Sequence, residues 1–195
     1  MSTVKVTALK HEDASVDNLT LNSDGTSTLA GNLVFSDASV QTTAPIGKVV
    51  QVVNFQTGAM ATGTTLIPYD DTIPQITEGT EFMTLSITPT SATNKLRLDI
   101  VTYHFVSAEG RPIAALFVGT TADALACGGG WYQPAAHGHF TSFSHFIDAG
   151  VTSSLTFRVR IGNDNAGTLT FNGGSGVRKY GGILSSSITI TEIAV

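Results

Sequence analysis

Between Lys48 and Val195, run after run places apolar residues at alternate positions, and that period of two does most to limit what the chain can become. Ser154 to Ile161 reads SLTFRVRI, with Leu155, Phe157, Val159 and Ile161 on one side and Thr156, Arg158 and Arg160 on the other. A pleated backbone sends successive side chains to opposite faces, so this pattern predicts a half-buried strand. Lys95 to Val106 alternates in the same way, Leu96, Leu98 and Ile100 opposing Arg97 and Asp99. Glu81 to Thr88 and Ser187 to Ile193 repeat it. Val49 to Phe55 (VVQVVNF) is apolar on both sides and is expected to be covered on both. Ile113 to Val118 (IAALFV) suits a buried strand or a helical turn, and the closeness of Gly110-Arg111-Pro112 and Gly119 selects the strand. No window of eleven residues carries a helical period.

Turn chemistry separates these runs. Gly162 to Gly167 (GNDNAG) and Pro89 to Asn94 (PTSATN) each join two alternating segments and read as hairpin loops. Asn172-Gly173-Gly174-Ser175-Gly176 reads as a flexible glycine-rich loop. About eight strands, broken roughly every ten residues, predict an all-β fold: an antiparallel, jelly-roll-like β-sandwich over residues 46–195. Residues 1–45 differ. They contain short β-type pieces and Phe35 as their one aromatic, too few large apolar groups to offset the entropy of ordering a core in one copy. An extended, β-rich segment is expected there, flexible, docked on another surface or interwoven with other copies. Pro45-Ile46-Gly47 marks the boundary.

Charge restricts the partners. Ten Lys and Arg stand against fifteen Asp and Glu, a net charge of −5, and no Lys or Arg lies between Lys10 and Lys48. Neutralising phosphates takes clustered cations, so nucleic acid is not an expected partner. No apolar run nears the roughly 20 residues that span a bilayer, and the first residues lack the apolar stretch of a signal peptide, so membrane insertion is not expected. Charged residues make up 13% of the chain, about half the usual share. A surface so poor in charge is tolerable where copies bury part of it against one another, which points to an oligomer. Cys127 is the single cysteine; it has no partner for an internal disulfide and is expected to be a buried thiol.

Cys127 to Phe140 (CGGGWYQPAAHGHF) is the stretch richest in contact chemistry. Its Trp131 and Tyr132 carry flat rings that stack on sugars or anchor protein interfaces, and with His137 and His139 they are the candidate receptor contacts. The alternative places Trp131 as a cap on the sandwich core or between subunits. His137-Gly138-His139, with His145 nearby, presents two imidazoles to one side if the stretch is a strand, and these three are the candidate metal ligands. The alternative is local hydrogen bonding or solvent exposure. Asp70-Asp71 and Asn163-Asp164-Asn165 lack the ligand spacing of a calcium loop and are explained by turn formation. Cys127 has no neighbouring base, and no Gly-x-Ser-x-Gly elbow, phosphate loop or zinc motif occurs, so neither catalysis nor a cofactor is expected.

Leu9-Lys10-His11 through Asn18 to Gly25 resembles the N-terminal segment of fibre-like virion proteins of tailed bacteriophages. Gly31 to Asp37 with Val40 to Ala44, Gly47 to Val53, Leu85 to Lys95 and Ile188 to Ala194 are similar, in that order, to the approach, opening, interior and end of the C-terminal module of such fibres. Ala38 follows Asp37 where the family pattern has glycine, which argues against a tight primed turn there. The resemblance implies a homotrimeric fibre or spike with a jelly-roll tip, located in the virion after assembly in the host cytoplasm. Its N-terminus would dock on a phage capsid or tail structural protein through Val4, Val6 and Leu9, and its knob would meet a host-surface glycan or protein. Some relatives hold iron at the trimer axis with a His-x-His pair, which is what His137 and His139 would offer. A capsid-decorating head fibre and a free-standing glycan-binding sandwich are the alternatives.

Overall fold

The computed structural model describes residues 47–195 throughout and, before them, Ser23 and five short strands, Ala8–Leu9 (β1), Leu19–Leu21 (β2), Ser27–Leu29 (β3), Leu33–Val34 (β4) and Val40–Gln41 (β5). The chain divides into two compact units, Met1–Ile46 and Gly47–Val195. In the first, β1, β2 and β3 form one antiparallel sheet, and β4 pairs with β5. Val4, Val6 and the Asp37-Ala38 step lie outside the described residues, and of Leu9 only its place in β1 is described.

The second unit holds Val49–Thr57 (β6), Ala61–Gly63 (β7), Thr80–Ile87 (β8), Lys95–Val106 (β9), Ile113–Val118 (β10), Ala126–Gly129 (β11), His137–Asp148 (β12), Leu155–Gly162 (β13), Leu169–Phe171 (β14), Gly173–Gly174 (β15), Val177–Arg178 (β16) and Ser186–Ile193 (β17). Eight of these build two facing sheets, ordered β6-β17-β9-β12 and β8-β13-β10-β11, every pairing antiparallel. The short β14 continues along β9 beyond the end of β17 and carries β7 with it. Apart from the β10–β11 hairpin, successive strands of the eight switch sheets. That strand order, two interlocked four-strand arrays, is a jelly roll.

Alternation fills the space between the sheets. Leu96, Leu98 and Ile100 of β9 and Ile188 and Ile190 of β17 face Met83, Leu116, Phe157, Val159 and Ile161, all at most 1% exposed. Each such side chain adds on the order of 2 kcal/mol by leaving water. The doubly apolar β10 is covered twice. Ala114 and Leu116 enter this core, while Ala115 and Phe117 point outward under Ile67 and Ile76 of the β7–β8 segment.

Several local expectations are corrected. The other doubly apolar run, β6, is a sheet edge bonded on one side to β17, and Val49, Val50, Val52 and Phe55 are exposed. Gly162 to Gly167 and Pro89 to Asn94 are not hairpins. Each carries the chain from one sheet to the other, because β13 and β14, like β8 and β9, belong to different sheets. Asn172, Gly173 and Gly174 are buried, and the expected flexible loop is a β15–β16 hairpin. Cys127 is exposed on β11 rather than buried.

Candidate functional site

Two loops at one end of the sandwich are locked together by a backbone exchange. Gly110 N–H donates to Gln133 O at 3.0 Å and Gln133 N–H returns to Gly110 O at 2.6 Å. Gly110 sits at φ +156°, and a Cβ there would come within 2.3–2.6 Å of the Asn163 and Asp164 side chains. Only glycine fits that approach. The β13–β14 loop then grips the same segment. Asp164 accepts the Arg111 N–H at 2.6 Å and its guanidinium at 3.3 Å, while Asn163 and Asn165 donate to Glu109 O. Asn163-Asp164-Asn165 is thus a positioning loop, its side chains bonded to the Glu109–Arg111 segment.

On this base stands a stack of rings and charge. The Arg111 guanidinium lies over the Tyr69 ring at 4.7 Å and the Tyr132 ring at 5.8 Å, both cation–π distances. Tyr132 donates its hydroxyl to Glu109 at 2.5 Å, a bond that raises the phenol's pKa above its ordinary value. Trp131, next to Tyr132 in the chain, is 75% exposed, so it does not cap the core. Tyr69 and Tyr132 are more than half exposed. Asp70, next to Tyr69, accepts from the Thr72 hydroxyl at 2.6 Å and the Thr72 N–H at 2.9 Å on one oxygen, an Asx turn that holds its carboxyl below the usual range.

A groove runs from this cluster along β11. It comprises cavities of about 390 and 200 Å³ that share Asp70, Thr72, Pro74 and Cys127, the smaller walled by Tyr69 and Gly130.

The histidines part company. His137 and His139 begin β12 and share a face of the pleat, both exposed, with His137 Nδ1 bonded to Ala135 O at 2.9 Å. His145 lies six residues on, about 20 Å along the strand. Among the described residues no group of three or more His, Cys, Asp and Glu is placed to hold a metal. His139 instead pairs across the sheet with His104, ring centroids 6.4 Å apart. His104 is 1% exposed with neither ring nitrogen bonded to protein. Burial, helped by the nearby His139, lowers its pKa to about 4.

Sequence reasoning selected Trp131 and Tyr132 but missed Tyr69, Glu109, Arg111 and Asp164. These come from three separate loops. Only the unusual Gly110-Arg111-Pro112 step and the polar density of Tyr69-Asp70-Asp71 marked them.

No protein-family model matches the chain, and no curated protein does. Among solved structures it is similar to a chain of the infectious bursal disease virus Gx strain at 13% identity and TM-score 0.37, covering 84% of this chain and 40% of that one. It also matches dimeric latent PorU from Porphyromonas gingivalis at 11% identity and TM-score 0.35, over 82% of this chain and 15% of that one. A third match is the enzymatically active domain of bacteriophage CBA120 tailspike protein 4, at 14% identity and TM-score 0.25, over 65% and 19%. The chain spans less than half the length of each, and likenesses this weak say nothing about what it does. What fold and site together define is a jelly roll with an exposed aromatic end.

Proposed function

We propose that this chain is a structural virion protein: a homotrimeric bacteriophage fibre whose jelly-roll knob adheres to the host surface and catalyses no reaction. The observation that carries the adhesion role is the exposed pair Tyr69 and Tyr132 around Arg111, with the exposed Trp131 next to Tyr132 in the chain, built on loops pinned by Gly110 and Asp164. Rings held rigidly in water are well suited to contact, because little side-chain entropy is lost on binding. The ordered resemblance to fibre modules supports the virion setting. The apolar residues left exposed on the outer face of the six-stranded sheet, Val52, Val101, Phe140 and Phe146, support burial against other copies.

In this reading the N-terminal 45 residues dock on a capsid or tail protein, and three knobs share the work of binding. Each contact can then be weak, since linked sites multiply in effect. Native mass by light scattering tests the assembly. Three chains of 20.3 kDa should give about 61 kDa, and a 20 kDa species would overturn the trimer. The soluble full-length chain, added in excess, should block adsorption of the virus that carries it. Unchanged adsorption would overturn the adhesion role.

A further inference from the structure

We propose that the groove between the 68–74 segment and β11 is a subsite for a neutral, hydroxyl-rich sugar residue, with Tyr69 as its stacking wall and Asp70 as its hydrogen-bond acceptor. This rests on the adhesion reading and adds the class of ligand and the place it sits.

The size fits. The larger cavity, about 390 Å³, falls in the range of small-ligand clefts, roughly 300–1,000 Å³, and the one of 200 Å³ shares Asp70, Thr72, Pro74 and Cys127 with it. The walls are mixed as a sugar requires. A pyranose presents C–H groups on its faces and hydroxyls around its rim, so it takes an aromatic ring on one side and carboxylate or hydroxyl partners at the edge. Arg111 restrains Tyr69, its guanidinium lying 4.7 Å from the ring centroid. Asp70 spends one oxygen on Thr72, and among the described residues its other oxygen has no partner. Gly130, at φ +83°, sits where a Cβ would lie 3.2 Å from the Tyr69 ring, which keeps that wall free of side chain.

Charge selects the class. Asp70 and Asp71 both line the larger cavity. Arg111, the cation over the Tyr69 ring, is matched by Asp164. Among the described residues that line the groove there is no Lys or Arg, so a uronate or sialate would bring a carboxylate against two others with no cation to meet it, a repulsion that a neutral sugar avoids.

The single thiol supplies the readout, because Cys127 lines both cavities and is exposed. The full-length chain would be screened against immobilised neutral hexose and N-acetylhexosamine oligosaccharides, amino sugars, and uronate- or sialate-bearing ones. Alkylation of Cys127 by iodoacetamide would then be timed with and without each binder. The expected result is binding to neutral saccharides, slower alkylation in their presence, a loss of roughly tenfold in affinity for Tyr69→Ala, and retention in Tyr69→Phe. Circular dichroism and native mass of both variants identify any loss that comes from misfolding or disassembly. Should Tyr69→Ala not fold, the alkylation assay on the unaltered chain decides alone. Binding confined to acidic sugars, unchanged affinity in a folded Tyr69→Ala, or neutral-sugar binding that leaves Cys127 alkylation untouched would each overturn the subsite. A chain that blocks virus adsorption while ignoring neutral sugars would refute the groove and leave adhesion standing. A chain that does neither would refute both.

Discussion

Two buried titratable residues make this sandwich sensitive to acid, for opposite reasons. Glu192 on β17 is fully buried, and burial alone would raise its pKa; hydrogen bonds from Gln51, Asn94 and Thr90 outweigh that and hold it at about 2 against an ordinary 4.5. Its folded-state pKa is the lower one, so its contribution is complete above about pH 5 and is lost as pH falls towards 2. His104 is neutral in the fold, while an unfolded imidazole takes a proton near 6.5. Folding must exclude that proton, so stability declines from about pH 6.5 down to about 4 and this residue adds no further loss below. The shift corresponds to about 3 kcal/mol. Urea midpoints measured from pH 7.5 to 2.5 should therefore fall in two stages. His104→Leu should remove the first stage and raise stability at pH 7, since it deletes two unpartnered buried nitrogens. Glu192→Gln should flatten the second and cost about 2–3 kcal/mol at pH 7, by breaking the bonds that tie the 88–94 loop to β17 and β6. A single smooth decline in both variants would contradict this assignment.

At the scale of the element, periodicity read strands well and read their surroundings poorly. The alternation of Lys95–Val106 and Ser154–Ile161 is the physical alternation between core and solvent, so β9 and β13 were visible directly. Ile113–Val118 and Val49–Phe55 look alike as sequence, yet Phe117 lies under Ile67 while Val52 is 56% exposed. A local pattern records that both faces are apolar; it does not record which segment, distant in sequence, arrives to cover them. The same blindness hid the sheet crossings at 89–94 and 162–167, because a turn has the same composition whether it joins neighbours or facing sheets. It also hid the fate of Asn172. That residue, at φ +51° and fully buried, donates to Thr57 O at 2.7 Å and accepts from Ser186 at 2.6 Å, and the Ser186 oxygen in turn accepts the Tyr103 N–H at 2.9 Å. The Asn172 side chain, directly after β14, thereby joins β6 to β17 and, through Ser186, to β9. Asn172→Ala loses those bonds and is strained at positive φ, so it should lower stability by about 2–4 kcal/mol. Thermal denaturation would show it, and a melting point within a degree of the parent would deny the network its role. The aromatic end was half legible for a related reason. Trp131 and Tyr132 announce themselves by type, whereas Arg111 matters only because Gly110 lets Asp164 approach.

For the whole molecule, the question is what covers the outer face of the β6-β17-β9-β12 sheet. Across it run rows such as Val52, Thr191, Arg97 and Phe146, with Arg97 over the Phe146 ring at 5.9 Å. Two ion pairs there, Lys95–Asp148 and Arg97–Asp99, are exposed and contribute little to a single copy. Val101 lies mid-face, 37% exposed and flanked by Ser187 and Ser142, so a charge placed there meets water in one chain and an apolar neighbour in the proposed trimer. Val101→Glu should leave the circular dichroism of the knob unchanged and move the native mass from about 61 to about 20 kDa. Its binding to host cells should then weaken by roughly a hundredfold as avidity is lost, with the aromatic end intact on each monomer. A Val101→Glu protein that stays trimeric would move the contact to another face, the exposed edge of β6 being the next surface to charge.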